Sequence, residues 1–213
     1  MVGLFSFLET IMTELEILNA MLAAVGSNGV TSTTGRHPQL MKAQPILNRV
    51  DAEIQSKGHW FNTDWKLPLA KDSITGEFLV PQRTLSCDPS DPRVKYVRRG
   101  RRMYDPHNHT YDIDEETILV DVVIQLDIED LPVSAVEYIT TKAIHLMVLN
   151  SEITATEIQT RARDMQMAQI AFNEDRVTHE DTSLRDNPNY AYIMSGLPKI
   201  GGRSQNPKII GGG

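Results

Sequence analysis

Apolar residues recur at steps of three and four positions near the start of the chain, and this spacing predicts a helix. The stripe consists of Leu8, Ile11, Leu15, Leu18, Leu22 and Val25. Ser6 and Glu9 have the spacing of a capping box, and Gly26 stands where a left-handed stop is expected. Residues 26–37 are turn-forming types and therefore predict a loop.

A second stripe with helical spacing follows this loop. Its members are Leu40, Ala43, Leu47, Val50 and Ile54. Pro45 lies inside the stripe, so it either kinks the helix or marks its first turn, with Gln44 as the boundary. Lys57 and Gly58 supply a cation and a glycine where the helix is expected to end.

The character of the chain changes after residue 59. Short runs rich in β-branched and aromatic residues alternate with Pro, Gly, Asp and Asn, which is typical of strands joined by turns. The predicted strands are 60–69, 78–80, 94–97, 103–104 and 118–126. Residues 98–101 predict the tip of a hairpin, and 88–92, which include two prolines, predict a loop.

Helical spacing returns after Pro132, which is predicted to occupy a first turn. The apolar stripe of this third helix is Val136, Ile139, Ala143, Leu146 and Leu149. Asn150 and Ser151 are expected to cap a fourth, charged helix that runs from Glu152 to about His179.

The fourth helix has only a narrow apolar stripe, formed by Ile158, Ala162, Met165, Gln169 and Phe172. A helix this long and this polar is not expected to be satisfied inside one small domain, so we expect it to pack on a neighbouring copy. Residues 187–213 are rich in glycine and have no period, which predicts an extended arm that a partner orders.

The order of these elements predicts an α+β fold, in which N- and C-terminal helices form a helical bundle and an antiparallel β domain is inserted between them. The predicted parts are 1–58 and 129–186 for the α domain, 59–128 for the β domain, and 187–213 for the C-terminal arm.

The net charge of −7 argues against a general attraction to nucleic acid or to an anionic membrane. Cys87 is the single cysteine, so no internal disulfide is expected. The first residues lack a basic segment, and no apolar run approaches the roughly 20 residues that a bilayer requires. We therefore expect a soluble protein that is kept in a cytosol-like setting, with no membrane partner.

The nearest approach to a metal site is the run from residue 105 to residue 114. His107, His109, Asp112 and Asp114 are acceptable ligand types for zinc or manganese. A polar turn between strands has the same composition, and neither a cysteine pair nor an HExxH pattern supports a site. We favour the turn and predict no metal and no cofactor.

Paired carboxylates for acid–base chemistry are available at Asp121, Asp127, Glu129 and Asp130. They flank an apolar run and precede a helix N-terminus, where acidic residues are electrostatically favoured. No serine or histidine stands near them in a catalytic order, and Cys87 has no partner close to it in the sequence. We predict no catalytic residues and no enzyme.

A cluster of positively charged side chains flanks Gly100. It is formed by Arg98, Arg99, Arg101 and Arg102. Such a run is either a solvated loop tip, a surface that docks on an acidic protein, or a contact with DNA phosphates. The acidic balance of the chain favours protein docking over DNA. Further docking candidates are Ile158, Met165 and Phe172 on the fourth helix and Tyr190 and Tyr192 in the arm.

Several stretches together resemble the tail tubular protein A, or head-to-tail adaptor, family of short-tailed podoviruses. The resemblance rests on the ordered combination of residues 13–26, 46–62, 131–132 with 138–143, and the charged last helix, and it covers roughly residues 10–197. None of these stretches is specific alone. Pro45 and the glycine-rich segment after Leu197 depart from the family pattern.

The resemblance implies a structural ring of twelve copies between the portal and the tail nozzle, tubular protein B. Such a ring also supports the tail fibre, and genomic DNA passes through its channel without sequence-specific binding. The expected location is the virion tail, with the host cytoplasm as the site of assembly. Two alternatives are a tail-associated cell-wall hydrolase that uses the carboxylates at 121–130, and a DNA-binding regulator built on the arginine hairpin.

Overall fold

Helices and antiparallel strands follow one another along the part of the chain that the computed structural model describes, residues 12–151 and 153–185, the last five by their backbone alone. The elements are α1 (Glu14–Ala24), α2 (Pro38–Gln55), β1 (Thr63–Ala70), β2 (Thr84–Pro89), β3 (Val97–Arg99), β4 (Arg102–Tyr104), β5 (Thr117–Ile124), a 3₁₀ turn (Ile128–Asp130), α3 (Val133–Leu149) and α4 (Ala155–Arg185). This mixture of helices and antiparallel sheet is compatible with the predicted α+β class. Residues up to Arg176 form one compact unit, and α4 from Val177 onward belongs to a second.

Helix α1 begins at Glu14, so the prediction of a helix that already includes Leu8 is wrong for the described residues Met12 and Thr13. A capping box starts the helix: Thr13 Oγ1 accepts from the Glu16 amide at 3.3 Å, and Glu16 Oε2 accepts from the Thr13 amide at 2.8 Å. The predicted cap at Ser6 and Glu9 lies outside the described residues, as do Leu8 and Ile11. Gly26 has φ +68°, as its position after the helix predicts.

Helix α2 begins at Pro38, which has the preformed backbone angle that favours the first turn. Pro45 therefore lies in the helix interior, and the alternative that made it the first turn is wrong. Because proline has no amide hydrogen, Pro45 leaves the Met41 carbonyl without its helical donor. Pro45 and Met41 are both exposed, so this interruption lies on the solvent side of the helix. The five residues of the predicted α2 stripe are all buried.

Helix α3 confirms part of its predicted stripe. Val136, Ile139 and Ala143 are buried, but the side chain of Leu149 is 49% exposed, so that prediction is wrong. Tyr138 and Met147 are buried as well, because the face that meets α1 and α2 is broader than a single three–four stripe. Pro132 is the N-cap of α3 and not part of its first turn.

Helix α4 begins later than predicted, at Ala155, and Glu152 lies outside the described residues. The hydroxyl of Thr154 accepts from the Glu157 amide at 3.4 Å, so Thr154 provides the cap. Asn150 and Ser151 were wrongly assigned to this cap. Their side chains donate to carbonyls in the last turn of α3, each at 2.9 Å, so they close α3 and do not open α4.

The buried apolar side chains fall into two separate clusters. The helical core combines residues from all four helices with the 3₁₀ turn and Leu131. The β core is formed by Leu69, Phe78, Val80, Cys87, Met103, Ile113, Ile118, Val120 and Val122. No helix among the described residues is both long enough and apolar enough to cross a bilayer.

The main sheet has the strand order β1-β5-β2, with both edge strands antiparallel to β5, while β3 and β4 form a separate two-stranded hairpin. Strand β2 was not predicted, and the loop prediction for 88–92 is wrong at Asp88 and Pro89, which pair with Asp121 and Val120. An edge strand tolerates a terminal proline because no ladder amide is needed there. Residues 78–80 form no strand of their own, since Phe78 and Leu79 make only isolated bridges.

A buried amide network holds the two chain crossings between the helices and the sheet. The Gln55 side chain accepts from the Leu126 amide at 2.8 Å and donates to the Leu126 carbonyl at 3.1 Å. Asn62 donates to the carbonyls of Gln55 and Ile124, at 2.9 and 3.1 Å. The buried carboxylate of Asp51 accepts from Gln55 and from Gln125, at 2.6 and 2.7 Å.

Candidate functional site

The arginine run lies at the tip of the β3–β4 hairpin, as the sequence predicts. Val97 pairs with Tyr104 at the base of the hairpin, and Arg99 pairs with Arg102 next to the turn. Gly100 has φ +64°, a left-handed conformation that a residue with a Cβ rarely adopts, and a Cβ at this position would meet no atom within 4 Å. The tip is therefore a tight turn that projects into open space.

Two of the four arginines are tied to the protein itself. Arg98 Nη1 donates to the carbonyl of Thr84 and so joins the hairpin to strand β2. Arg102 Nη1 lies 3.1 Å from Glu77 Oε1, and its guanidinium stacks on the ring of Tyr111, 3.9 Å from the ring centroid. The charge of Arg102 is thus met by a carboxylate within the fold, whereas Arg98 is held in place by a neutral carbonyl.

The other two arginines, like Arg98, have no ion-pair partner among the described residues, but unlike Arg98 they are exposed. Arg99 stacks on the ring of Tyr104 at 3.6 Å, and Arg101 reaches only the Val80 carbonyl, at 3.5 Å. Both side chains are exposed, and within the described part of the chain neither has a carboxylate oxygen within 4.0 Å. The exposed positive charge at the tip that lacks an ion-pair partner among the described residues is therefore that of Arg99 and Arg101.

An acidic segment lies at the other end of the same hairpin. Tyr96, which directly precedes β3, donates from its hydroxyl to Glu115 Oε1 at 2.6 Å. Burial, followed by the hydrogen bond to Glu115, raises the pKa of Tyr96 to about 12, so this hydroxyl remains a donor at neutral pH. Asp114, Glu115 and Glu116 are exposed.

The docking candidates on α4 divide between inner and outer positions. Phe172 is 3% exposed and stacks on Tyr138 with ring centroids 5.7 Å apart, so its ring belongs to the helical core and is not free for a partner. Ile158 and Met165 are half-buried. Gln169 is exposed, and Ala168 takes the buried place that the predicted stripe assigned to it. Tyr190 and Tyr192 lie outside the described residues.

Sequence reasoning missed the opposite face of α4. Met167 is 67% exposed and Ile170 is 51% exposed. At about 100° per residue these two positions point away from Ala168 and Phe172. The stripe was read as single-sided because a polar residue, Gln169, was counted into it. A second count from Met167 in steps of three and four would have found the outer pair.

Two exposed apolar side chains on the main sheet were also missed. Trp65 is 73% exposed at a bulge in β1, and Leu119 on β5 is 51% exposed. The bulge gives Lys66 a φ of 55°, and Asp121 stabilises it by accepting the Lys66 amide at 2.9 Å. A groove of about 470 Å³ is lined by both Lys66 and Leu119. The residue types in this strand do not predict the bulge.

The run from residue 105 to residue 114 contains a hydrogen-bonded turn. Asp105 accepts from the amides of His107 and Asn108, at 2.8 and 3.2 Å, and bridges back to Thr110. Within residues 12–151 and 153–185, no three His, Cys, Asp or Glu side chains are grouped so that they could hold a metal ion.

The carboxylates considered for catalysis have individual structural contacts. Besides the Lys66 amide, Asp121 accepts the Ser90 hydroxyl at 2.5 Å. Asp127 pairs with Arg83 at 2.8 Å, and Glu129 accepts the Glu14 amide at 3.2 Å. These contacts pin a bulge, a turn and a helix start, and they favour a structural reading of the carboxylates over a catalytic pair.

Cys87 lies in the β core. Its side chain is 4% exposed and its Sγ is 3.8 Å from Met103 Sδ. Burial, reinforced by the charge of Asp88, raises the pKa of the thiol to about 11. Such a thiol is almost entirely protonated at neutral pH, which makes it a poor nucleophile.

Comparison with known proteins places these surfaces in context. A curated relative, tail tubular protein A of Klebsiella phage KP34, is 28% identical over 138 residues, which cover 63% of this chain and 73% of the relative. The sequence profile of the tail tubular protein family matches residues 15–182, from the first described helix almost to the end of the last. Because this match spans most of the chain, the protein belongs to the tail tubular protein family and is a structural component of a phage tail.

Proposed function

We propose that the protein is the adaptor subunit that forms a ring between the portal and the tail nozzle of a short-tailed phage. The observation that carries this proposal is the two-sided character of α4. Ala168 and Phe172 are buried against the chain's own helices, while Met167 and Ile170 on the opposite side are exposed. An outer apolar pair on a charged helix is suited to a neighbouring copy of the same helix bundle.

The proposed ring contains twelve copies, with the helical parts 1–58 and 129–186 side by side and the β part 59–128 at the rim. Its proposed partners are the portal on one side, tubular protein B on the other, and the tail fibre. Genomic DNA passes through the channel without sequence-specific binding, in keeping with the net charge of −7. The arm 187–213 is proposed to contribute to docking through Tyr190 and Tyr192.

The decisive experiment is the mass of the purified protein in solution, alone and with its portal. A ring near twelve times the 23.9 kDa of one chain, or twelve copies bound to one portal, is the expected result. A monomer that ignores the portal would remove the proposal.

A pair of variants ties the ring to α4. Met167→Asp places a charge on the outer face of the helix and is expected to prevent assembly while the monomer stays folded. Met41→Asp is the matched control, since Met41 is equally exposed, at 65% against 67%, but lies on α2. Equal assembly of both variants would show that the outer face of α4 is not an interface.

A further inference from the structure

The β3–β4 hairpin carries opposite charges at its two ends. Arg99 and Arg101 are exposed at the tip, and Glu115 is held at the base by the hydroxyl of Tyr96. Each strand has three residues, so at about 3.3 Å per residue the two ends lie about 10 Å apart. The hairpin is therefore a short rigid element with a basic end and an acidic end.

The basic end is rigid because stacking limits the motion of its side chains. The guanidinium of Arg99 lies on Tyr104, that of Arg102 lies on Tyr111, and the two tyrosine rings contact each other edge to face at 4.9 Å. Binding to a partner would consequently order few additional rotamers. The Arg102 charge is paired with Glu77, whereas Arg99 and Arg101 have no carboxylate partner among the described residues.

The carboxylates at the acidic end lack cationic partners in the same way. Asp114, Glu115 and Glu116 are exposed, and within the described residues no lysine, arginine or histidine nitrogen lies within 4.0 Å of their carboxylates. Among the described residues, Lys71 pairs with the neighbouring Asp112 at 3.9 Å, and Lys66 and Arg93 line the same groove as Glu115 without forming an ion pair with it. Within the described residues, Arg99 and Arg101 at the tip and Asp114, Glu115 and Glu116 at the base therefore have no ion-pair partner.

We propose that the arginine tip of one copy docks on the Asp114–Glu116 segment of the next copy, head to tail. Opposite charges on two ends of a rigid element cannot meet within one chain, but they meet when the element repeats in one rotational sense. A contact between two different patches of identical subunits is heterologous, and such contacts form a ring when the rotation between neighbours closes. This inference rests on the proposed ring and gives it a lateral contact in the β part.

The contact is a solvent-accessible one, so salt screens it. Exposed ion pairs are individually weak, and their strength comes from repetition around a closed ring. Assembly is therefore expected to weaken as ionic strength rises, with the β part supplying the salt-dependent share and the outer face of α4 a share that salt does not weaken.

A charge-exchange experiment tests the proposal. The tip variant carries Arg99→Glu and Arg101→Glu, and the base variant carries Asp114→Lys and Glu116→Lys; Glu115 is kept because Tyr96 depends on it. Each variant alone is expected to need at least a tenfold higher protein concentration for half-assembly on the portal at low salt. An equimolar mixture is expected to assemble nearly as the wild type does, because every tip then finds an opposite base in an alternating ring.

The matched control carries Arg36→Glu and Arg49→Glu, the same change of net charge on exposed positions of the helical part. It is expected to assemble normally, and thermal melting of all variants verifies that they fold. Normal assembly of the tip variant, or a mixture no better than its components, overturns the inference while leaving the ring itself intact. A tip variant that forms rings but loses the portal overturns it in favour of a portal contact. Failure of the wild type to form a ring, with or without the portal, removes both proposals.

Discussion

The helical part and the β part of this protein are stabilised in different ways. In the helical part, apolar stripes on α1, α2 and α3 meet in one core, and the helix starts are fixed by caps such as Thr13. In the β part, the core is smaller, and single polar side chains hold irregular backbone in place. The three described non-glycine residues with positive φ, Lys66, Arg83 and His109, all belong to the β part.

This difference shows which interactions determine the structure of each part. A helix is determined by residues within four positions of one another, so its core follows from a local repeat. Strand β5 instead receives β1 and β2 from both sides, across tens of residues of chain. The β part therefore depends on particular contacts, such as Asp121 on Lys66, that have no local alternative.

The largest expected effect tests whether the two cores unfold together. Phe78→Ala in the β core is expected to cost about 3–5 kcal/mol of unfolding free energy, and Leu47→Ala in the helical core about 2–5 kcal/mol, because both side chains are fully buried. Far-ultraviolet circular dichroism and tryptophan fluorescence during urea titration make the measurement. Met41→Ala, exposed on α2, is the control and is expected to stay within about 0.5 kcal/mol.

Coincident transitions for both probes in both variants would mean that the cores form one cooperative unit. A Phe78→Ala protein that keeps its helical signal after its β part has melted would instead separate them. Equal stability of Phe78→Ala and the control would contradict the assigned β core.

The next effect concerns the junction between the parts. Gln55→Leu removes hydrogen bonds to Asp51 and to the amide and carbonyl of Leu126, and leaves buried polar groups unsatisfied. The expected loss is about 1–3 kcal/mol, and hydrogen exchange at the Leu126 amide should quicken more than exchange inside α2. Gln39→Leu, on the same helix and away from this network, is the control. Unchanged exchange at Leu126 would show that the network does not hold the crossing.

A smaller effect is expected at the start of α1. Thr13→Ala deletes the side chain that accepts the Glu16 amide and should cost about 1 kcal/mol. Thr13→Ser restores the acceptor and is expected to recover most of the loss, as measured by thermal melting. Equal melting temperatures for the alanine and serine variants would show that the Thr13 hydroxyl does not stabilise the start of α1.

The smallest effect is a pH dependence that links α2 to α3. The hydrogen bond from Lys142, at 2.6 Å, is the main cause that lowers the pKa of Glu53 below 4.5 in the folded protein. A carboxyl whose folded pKa is depressed adds stability above its unfolded pKa and loses it as the pH falls through the folded value. Glu53→Gln should therefore flatten the stability profile below about pH 4.5, by no more than about 1 kcal/mol because the pair is partly exposed. An unchanged acid limb would refute the linkage.

The helices were predictable from the sequence because their signals are local. The stripe of α2 was correct at every position, and Gly26 adopts the left-handed conformation expected after α1. Gly58, expected at the end of α2, also has a positive φ. The errors arose where two local signals competed. Leu8 and Ile11 continued the period of α1 past the Thr13 cap, and Asn150 and Ser151 could close one helix as well as open another.

The β part was less predictable because its strands are defined by partners. Strand β2 contains Ser86, Asp88 and Pro89, which are turn-forming types, and it becomes a strand only because β5 lies beside it. The arginine hairpin was recognisable from its glycine and charges. Which arginines make contacts within the fold could not be read from the chain, since Glu77 and Tyr111 lie 25 and 9 residues from Arg102, and Thr84 lies 14 residues from Arg98.

Labelling of Cys87 can report how often the β core opens. The thiol is buried against Met103 and its pKa is raised to about 11, so alkylating reagents can react only after the β core opens. Because Cys87 is the single thiol of the chain, its labelling needs no introduced probe. The labelling rate equals the opening rate when reaction outpaces closing, and is otherwise proportional to the fraction of molecules that are open. Mass spectrometry could then compare the fraction of labelled subunits in free protein and in assembled tails, and so measure how far assembly suppresses opening of the sheet.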